Sequence, residues 1–107
     1  MKKLREFKAN FLKALAHPIR IQIIDELRNG ELTVNELKEK LDIEAPNVSQ
    51  QLAVLRNSNI VQTRKEGNSI YYSIRHSIIF KMLDHAKKIF NEHLLDVQNL
   101  LIDLKES

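Results

Sequence analysis

Apolar residues recur at intervals of three or four positions along most of the chain, which is the spacing of amphipathic helices. The first segment with this spacing spans residues 1–16, and Pro18 ends it because a proline disfavours helical geometry at the preceding residue. Pro18 can then open a second, nearly continuous apolar helix, which Asn29 and Gly30 bring to an end. The pattern therefore predicts an amphipathic first helix followed by a helix at the centre of the core.

Two further helices, joined by a short turn, are predicted next. Thr33 with Glu36 three residues later is a capping-box pattern, which marks the start of a third helix. Residues 42–44 form the turn, and a fourth helix is expected over Ala45–Asn57 because Pro46 suits a first helical turn. Two helices with so short a connection are arranged as in a helix-turn-helix, although generic helical hairpins share this pattern.

The fourth helix has one apolar face and one uncharged polar face. Helical spacing places its buried stripe at Val48, Leu52 and Leu55. Its exposed first turn is expected to carry amide and hydroxyl groups, from Asn47, Ser49, Gln50 and Gln51. Such groups both donate and accept hydrogen bonds, as the reading of base edges in the DNA major groove requires. This segment is therefore the candidate DNA-recognition helix, and the plainer alternative is a set of solvated polar side chains.

A β-hairpin is predicted directly after this helix. Ile60–Arg64 and Ile70–Ile74 are short runs rich in β-branched and aromatic residues, separated by a five-residue loop. Gly67 and Asn68 in that loop tolerate a positive φ. A hairpin in this position corresponds to the wing of a winged helix-turn-helix.

The wing adds candidate DNA contacts to those of the helix. Arg64, Lys65 and Asn68 are placed to touch phosphate or the minor groove. Tyr71 and Tyr72 should lie on opposite faces of their strand, so one is expected to pack on the core while the other is available to DNA. The complete candidate DNA-binding set is Pro46, Asn47, Ser49, Gln50, Gln51, Arg56, Arg64, Lys65, Asn68 and Tyr72.

The last part of the chain predicts one long helix, because residues 77–104 contain neither glycine nor proline. Its apolar positions lie three, four or seven apart, which is the spacing of a coiled-coil seam. A helix of this length has little reason to exist on a lone small domain, so we expect dimerisation through residues 1–16 and 77–105. The expected interface residues are Phe7, Phe11, Ile79, Leu83, Ala86, Phe90, Val97 and Leu100.

The composition narrows the class of protein. A length of 107 residues fits a single domain over 1–107, and the net charge of +3 with a pI near 9.3 favours a polyanionic partner. The basic excess lies in residues 45–76, which contain four arginines and lysines but only one glutamate. No apolar run is long enough for a bilayer span or a signal peptide, so a cytoplasmic protein without a membrane partner is expected.

Several kinds of chemistry are excluded by what the sequence lacks. Cysteine is absent, which removes disulfides, thiolate metal sites and thiol nucleophiles. There is no glycine-rich phosphate loop and no nucleophile motif. We therefore expect neither an enzyme nor a bound cofactor.

Taken in order, the motifs resemble those of the ArsR/SmtB family of winged helix-turn-helix repressors. The resemblance covers residues 12–74 and is carried by LKALAHPIRIQIIDEL, GELTVNEL, APNVSQQLAVLRNSNIV and EGNSIYYSI. It implies a mainly α fold with a small β-hairpin, in the order α1-α2-α3-α4-β1-β2-α5. It also implies a homodimer that binds an imperfect promoter palindrome and leaves it when an inducer binds. In many members that inducer is a metal ion or a metalloid.

The family's usual sensor residues are missing from this chain. Members that sense through thiols carry cysteines on the third helix, where this chain has Thr33 and Asn35. The positions of the zinc ligands on the last helix read approximately His76, Ile78, Ile89 and Glu92. Two aliphatic side chains thus replace ligands of an ion that normally takes four, so the sequence leaves the inducer unknown.

An atypical metal site on the last helix is the first alternative that the sequence leaves open. Its candidate ligands are Asp84, His85 and His93. The two histidines are eight residues apart, which is about 12 Å along a helix, so one ion cannot bridge them within one helix. A site would need the partner subunit or the ends of the chain. The sequence favours a homodimeric, sequence-specific repressor without a metal. The second alternative is a winged-helix module that binds another protein rather than specific DNA.

Overall fold

The computed structural model describes residues 1–106. These residues form two compact units, and the boundary between them in the sequence follows residue 76. The first unit holds four α-helices and a two-stranded antiparallel sheet, and the second is one long helix. The elements are α1 (Lys2–Leu15), α2 (Pro18–Glu26), α3 (Val34–Leu41), α4 (Ala45–Asn57), β1 (Val61–Glu66), β2 (Ser69–Ile74) and α5 (Ile78–Glu106). The predicted fold class and element order are therefore confirmed.

Local signals set the ends of the helices. His17 precedes α2 in an extended conformation, and its Nδ1 accepts a hydrogen bond from the backbone N–H of Ile19 at 3.1 Å. The last turn of α2 tightens into a 3-10 helix over Leu27–Asn29, and Gly30 follows with φ +132°. The predicted stop at residues 29–30 is thus correct, although the α-helix itself ends at Glu26.

The capping box predicted for α3 is present. Thr33 Oγ1 accepts from the N–H of Glu36 at 3.2 Å, while Glu36 Oε1 accepts from the N–H of Thr33 at 3.0 Å. Asp42 ends the helix in the left-handed conformation, and the chain turns into α4 within three residues. Helices α3 and α4 pack against each other and against α2, as in a helix-turn-helix.

The apolar stripe of α4 lies in the core, as its spacing predicted. Val48, Leu52 and Leu55 are fully buried, together with Ile23 and Ile24 of α2. Burial of a large aliphatic side chain contributes roughly 1.5–3 kcal/mol, so three such side chains fix the rotation of α4 about its own axis. The opposite face of α4 is thereby held toward solvent.

The hairpin is longer, and its loop shorter, than the sequence predicted. The strands pair from Val61 with Ile74 to Glu66 with Ser69, which leaves only Gly67 and Asn68 in the turn. Gly67 has φ +60°, whereas the φ of Asn68 is negative; a positive φ at the first turn position only is the type II′ pattern. The five-residue loop was therefore wrong, because cross-strand pairing overrides the low strand preference of Lys65 and Glu66.

The base of the hairpin is attached to the helical part of its unit. Leu32, just before α3, exchanges two backbone hydrogen bonds with Tyr72 of β2, at 2.8 and 3.0 Å. Strand β2 is thus paired along both edges, with β1 on one side and Leu32 on the other. The hairpin is consequently held close to the start of α3.

Helix α5 forms the second unit. It runs for 29 residues, and Ile79 is the buried residue near its start. Large apolar side chains of its second half are at least 40% exposed. Within residues 1–106, none of the helices combines the length and the apolar character that crossing a bilayer requires.

Candidate nucleic-acid interface

The exposed face of α4 presents small and uncharged polar side chains. Ser49 and Gln50 are exposed, as predicted, and so are Pro46 and Arg56. Ala53 lies on the same face, one turn beyond Ser49 and Gln50, and sequence reasoning missed it. Helical spacing could have found it, since position 53 falls opposite the buried stripe.

Gln51 differs from the prediction. It was expected to be exposed in the first turn, but it is only 8% exposed and lies beside the core. Its Oε1 accepts a hydrogen bond from Arg20 Nη1 at 2.8 Å, and its Nε2 donates to Asn47 Oδ1 at 3.0 Å. The expectation of an exposed Gln51 is therefore wrong, because Arg20 of α2 supplies the partner that allows its amide to be buried.

Asn47 lies at the edge between the two faces of α4. It is half-buried, and Gln51 one turn further along holds its side-chain carbonyl oxygen. Arg20 is in turn held by the backbone carbonyl oxygens of Lys13 and Ala14, at 3.3 and 2.6 Å. A chain of side-chain hydrogen bonds thus runs from the end of α1 to the first turn of α4.

A groove of about 390 Å³ separates α4 from the hairpin. Ser49, Asn68 and Tyr72, which all belong to the predicted DNA-binding set, line it together. The start of α3 contributes Thr33 and Asn35, which sequence reasoning did not include in the site. The structure therefore brings the recognition helix, the wing and the start of α3 to one surface.

The two tyrosines of the wing alternate faces, as predicted. Tyr72 pairs with Thr63 on the side that lines the groove, whereas Tyr71 pairs with Arg64 on the other side. Both tyrosine side chains are half-buried. Lys65 is exposed near the tip of the hairpin and has no ion-pair partner among the described residues.

Arg64 is exposed, yet carboxylates surround its guanidinium. It donates to both carboxylate oxygens of Glu31, with Nε–Oε2 at 3.1 Å, and its Nη1 donates to Glu66 Oε2 at 2.9 Å. The guanidinium carbon also lies 4.8 Å from the ring centroid of Tyr71. These hydrogen bonds raise the pKa of Arg64 and lower the pKa of Glu31. Glu31, just before α3, and Glu66 of β1 therefore largely compensate the positive charge that was expected to contact phosphate.

The expected dimer residues are placed differently in the two units. Phe7 of α1 is 64% exposed, whereas Phe11 is half-buried. On α5, Ala86, Phe90, Val97 and Leu100 are exposed and Leu83 is half-buried. Ile79 is the exception, since only 5% of it is exposed in the single chain. It is therefore not available to a partner subunit as the sequence had suggested.

The candidate metal ligands do not form a cluster in a single chain. Within residues 1–106, no group of three histidine, aspartate or glutamate residues could hold an ion. Asp84, His85 and His93 are exposed along α5.

The sequence and the structure both resemble known regulators. The profile described as "Bacterial regulatory protein, arsR family" matches residues 17–63. The uncharacterized HTH-type transcriptional regulator Rv0081 of Mycobacterium tuberculosis is 40% identical over 95% of this chain and 90% of its own length. Its crystal structure superposes with a TM-score of 0.78, covering 87% of this chain and 94% of that one.

Two further relatives carry more specific descriptions. The biofilm growth-associated repressor of Xylella fastidiosa is 38% identical over 84% of this chain and 79% of its own length. The structure of the Mycobacterium bovis protein Mb0332, described as a homodimeric winged helix-turn-helix DNA-binding domain, has a TM-score of 0.78 at 29% identity. That match covers 87% of this chain and 86% of the Mb0332 chain.

The helix pair, the exposed polar face of α4 and the adjoining wing define a winged helix-turn-helix transcriptional regulator that binds DNA. The chain belongs to the arsR family of bacterial regulatory proteins. Proteins of this family are transcriptional regulators rather than enzymes.

Proposed function

We propose that the chain is a homodimeric repressor that binds a promoter palindrome through the exposed face of α4. The observation that carries this proposal is the common surface of Ser49, Gln50 and the wing groove. Its side chains offer hydroxyl and amide groups for base edges, while the buried stripe keeps α4 in a fixed orientation. The repressor role is supported by the naming of the Xylella fastidiosa relative.

A dimer would explain the apolar surface of α5. Phe90, Val97 and Leu100 are 40–60% exposed, and such a series on one helix is typical of an interface between chains. The homodimeric description of Mb0332 supports the same assembly. Two copies of α4 would then enter successive major grooves roughly 34 Å apart, which requires an inverted repeat.

The experiment is a footprint followed by affinity measurements over a range of salt concentrations. We expect a protected palindrome, and an affinity that falls steeply with added salt because phosphate contacts release counterions. Alanine variants of Ser49 and Gln50 should lower the affinity for the palindrome about ten-fold with little effect on random DNA. Lys65→Ala should instead weaken binding to both DNAs equally and reduce the salt slope by about one.

Equal losses on specific and random DNA for all three variants would contradict this division between base reading and phosphate binding. Protection of no sequence by the wild-type protein would overturn the repressor proposal itself. A winged-helix module that binds another protein would give that second result.

The proposed repressor does not respond to metal through the usual sites of the family. This part rests on the absence of cysteine and on the aliphatic side chains of Ile78 and Ile89. Addition of Zn²⁺, Ni²⁺ or Co²⁺ should leave the DNA complex intact in an electrophoretic assay. Release by a stoichiometric metal, abolished in His85→Ala or His93→Ala, would instead establish the atypical site on α5.

A further inference from the structure

The side chains of Arg20, Gln51 and Asn47 are linked by hydrogen bonds whose donors and acceptors have a fixed order. An arginine guanidinium has only donors, so the group of Gln51 that faces Arg20 must be its carbonyl oxygen. The Gln51 Nε2 group is then turned toward Asn47, and only the carbonyl oxygen of Asn47 can accept from it. The amide orientation of both residues therefore follows from the chemistry of Arg20.

Arg20 is in a position to impose that direction. Its Nε and Nη2 groups bond to the backbone carbonyl oxygens of Ala14 and Lys13, so the guanidinium is held at two further points. Gln51 is almost fully buried, and reversing its amide would set Nε2 against the guanidinium with neither group able to accept. Such a reversal would leave a buried polar group without a hydrogen-bond partner, which is unfavourable.

We propose that Arg20 and Gln51 are positioning residues that fix Asn47 to present its amide N–H donors, rather than its carbonyl oxygen, to DNA. This inference rests on the proposed function. The DNA groups that fit are acceptors, which are guanine O6 and N7, adenine N7, thymine O4 or a phosphate oxygen. Bidentate recognition of adenine is disfavoured, because it needs the carbonyl oxygen that Gln51 already holds.

Gln51→Glu tests the order of donors and acceptors in these hydrogen bonds. The carboxylate accepts from Arg20 as the amide did, but it has no donor for Asn47. Asn47 then reverses its amide, donates to Glu at position 51 and presents its carbonyl oxygen to DNA. The charge-matched control is Gln22→Glu, at an exposed position of α2. Binding sites are selected from a randomised duplex pool with the wild type, both variants and Asn47→Ala.

Asn47→Ala identifies the DNA group that Asn47 contacts. A base acceptor and a phosphate acceptor give different results. If Asn47 contacts a base, Gln51→Glu should shift the preference at that base position toward the donors adenine N6 or cytosine N4. The affinity for the wild-type site should fall about ten-fold, which is the worth of one such contact. If Asn47 contacts a phosphate, Gln51→Glu and Asn47→Ala should each weaken binding to all sequences about equally. A double variant that combines Gln51→Glu with Asn47→Ala should bind no more weakly than either single variant.

The remaining results contradict the proposal or its basis. If Gln51→Glu selects the same sequences with the same affinity as Gln22→Glu, the fixed order of donors and acceptors is wrong. Additive losses of DNA affinity in the double variant would contradict it as well. Asn47→Asp serves as the second variant if Gln51→Glu fails to fold, since it leaves Arg20 and Gln51 unchanged while removing the donor. It should reproduce the same shift or loss, and unchanged binding would overturn the proposal. If the wild-type protein enriches no sequence from the pool, the proposed repressor function itself is wrong.

Discussion

Two side chains of the DNA-binding surface are tied to partners that change their roles. Gln51 is a polar residue of α4 that has become part of the packed interior, since Arg20 satisfies its amide oxygen. Arg64 remains exposed, but Glu31 and Glu66 hold its guanidinium. Both residues were candidates for direct DNA contact, and each is engaged by partners within its own chain.

Arg20→Ala should lower the free energy of unfolding by about 1–3 kcal/mol. The substitution leaves the buried Oε1 of Gln51 and the carbonyl oxygen of Ala14 without their donor. Chemical denaturation at a fixed protein concentration measures the change. Arg5→Ala on the exposed surface of α1 is the control, and it should leave the unfolding midpoint within experimental scatter. Equal effects of the two variants would show that the Arg20 contacts contribute nothing.

The pKa of the Glu31 carboxyl group should lie below its ordinary value of 4.5, because the hydrogen bonds from Arg64 favour its charged form. The pKa is lowered in the folded state, so any stabilisation from this pair is present above pH 4.5 and is lost as the pH falls through the lower, folded value. NMR titration of the carboxyl carbon measures it. Arg64→Met should return the pKa of Glu31 toward 4.5, and an unchanged titration would argue against the contact.

At the scale of the elements, the start of α3 contacts both parts of the DNA-binding surface, which are helix α4 and the wing. Thr33 caps the helix, lines the groove beside Ser49, and follows the Leu32 that pairs with β2. The wing, α3 and α4 are therefore positioned by a few residues around one helix start. A disturbance there should be felt by the recognition helix and by the wing together.

Thr33→Ala should destabilise the fold by about 1 kcal/mol, because it removes the side-chain acceptor of the capping box. Thr33→Ser keeps a hydroxyl at the same position and should retain most of the stability. The unfolding midpoint of the two variants in denaturant measures the difference. A loss in the serine variant equal to that in alanine would assign the effect to the methyl group rather than to the cap.

At the scale of the whole molecule, dimerisation decides whether two recognition helices act together. The second half of α5 exposes apolar side chains that water solvates poorly, and burial against a second copy would remove them from solvent. The single chain already buries Ile79, so an interface on α5 should begin after that residue. The proposed contacts of a dimer on α5 therefore lie beyond Ile79.

Leu100→Asp should convert the proposed dimer into a monomer, since it places a charge in the proposed apolar interface. Sedimentation equilibrium measures the change in mass, and affinity for the palindrome should fall at least ten-fold as one half-site is lost. Gln98→Glu adds the same charge at a polar position of the same helix and should leave the dimer intact. A Leu100→Asp protein that stays dimeric would place the interface elsewhere.

The sequence alone determined the features that depend on neighbouring residues. Helix α4 begins and ends where the periodicity and Pro46 predicted, and Thr33 caps α3 through a residue three positions away. Hydrogen bonds of a helix and its caps join residues close in the chain, so their signals are local. The hairpin was predicted for the same reason, and only its turn was misjudged.

Tertiary structure decided which polar residues of the interface are available. Gln51 is bonded to a residue 31 positions earlier, and Arg64 to one 33 positions earlier, so no local pattern contains either partner. Position 51 lies three residues after Val48 and four before Leu55, so it flanks the buried stripe. Its polar side chain favoured exposure, and Arg20 of α2 supplies the partner that allows burial. A polar side chain is buried where folding supplies its hydrogen-bond partner, and only the packed chain reveals that partner.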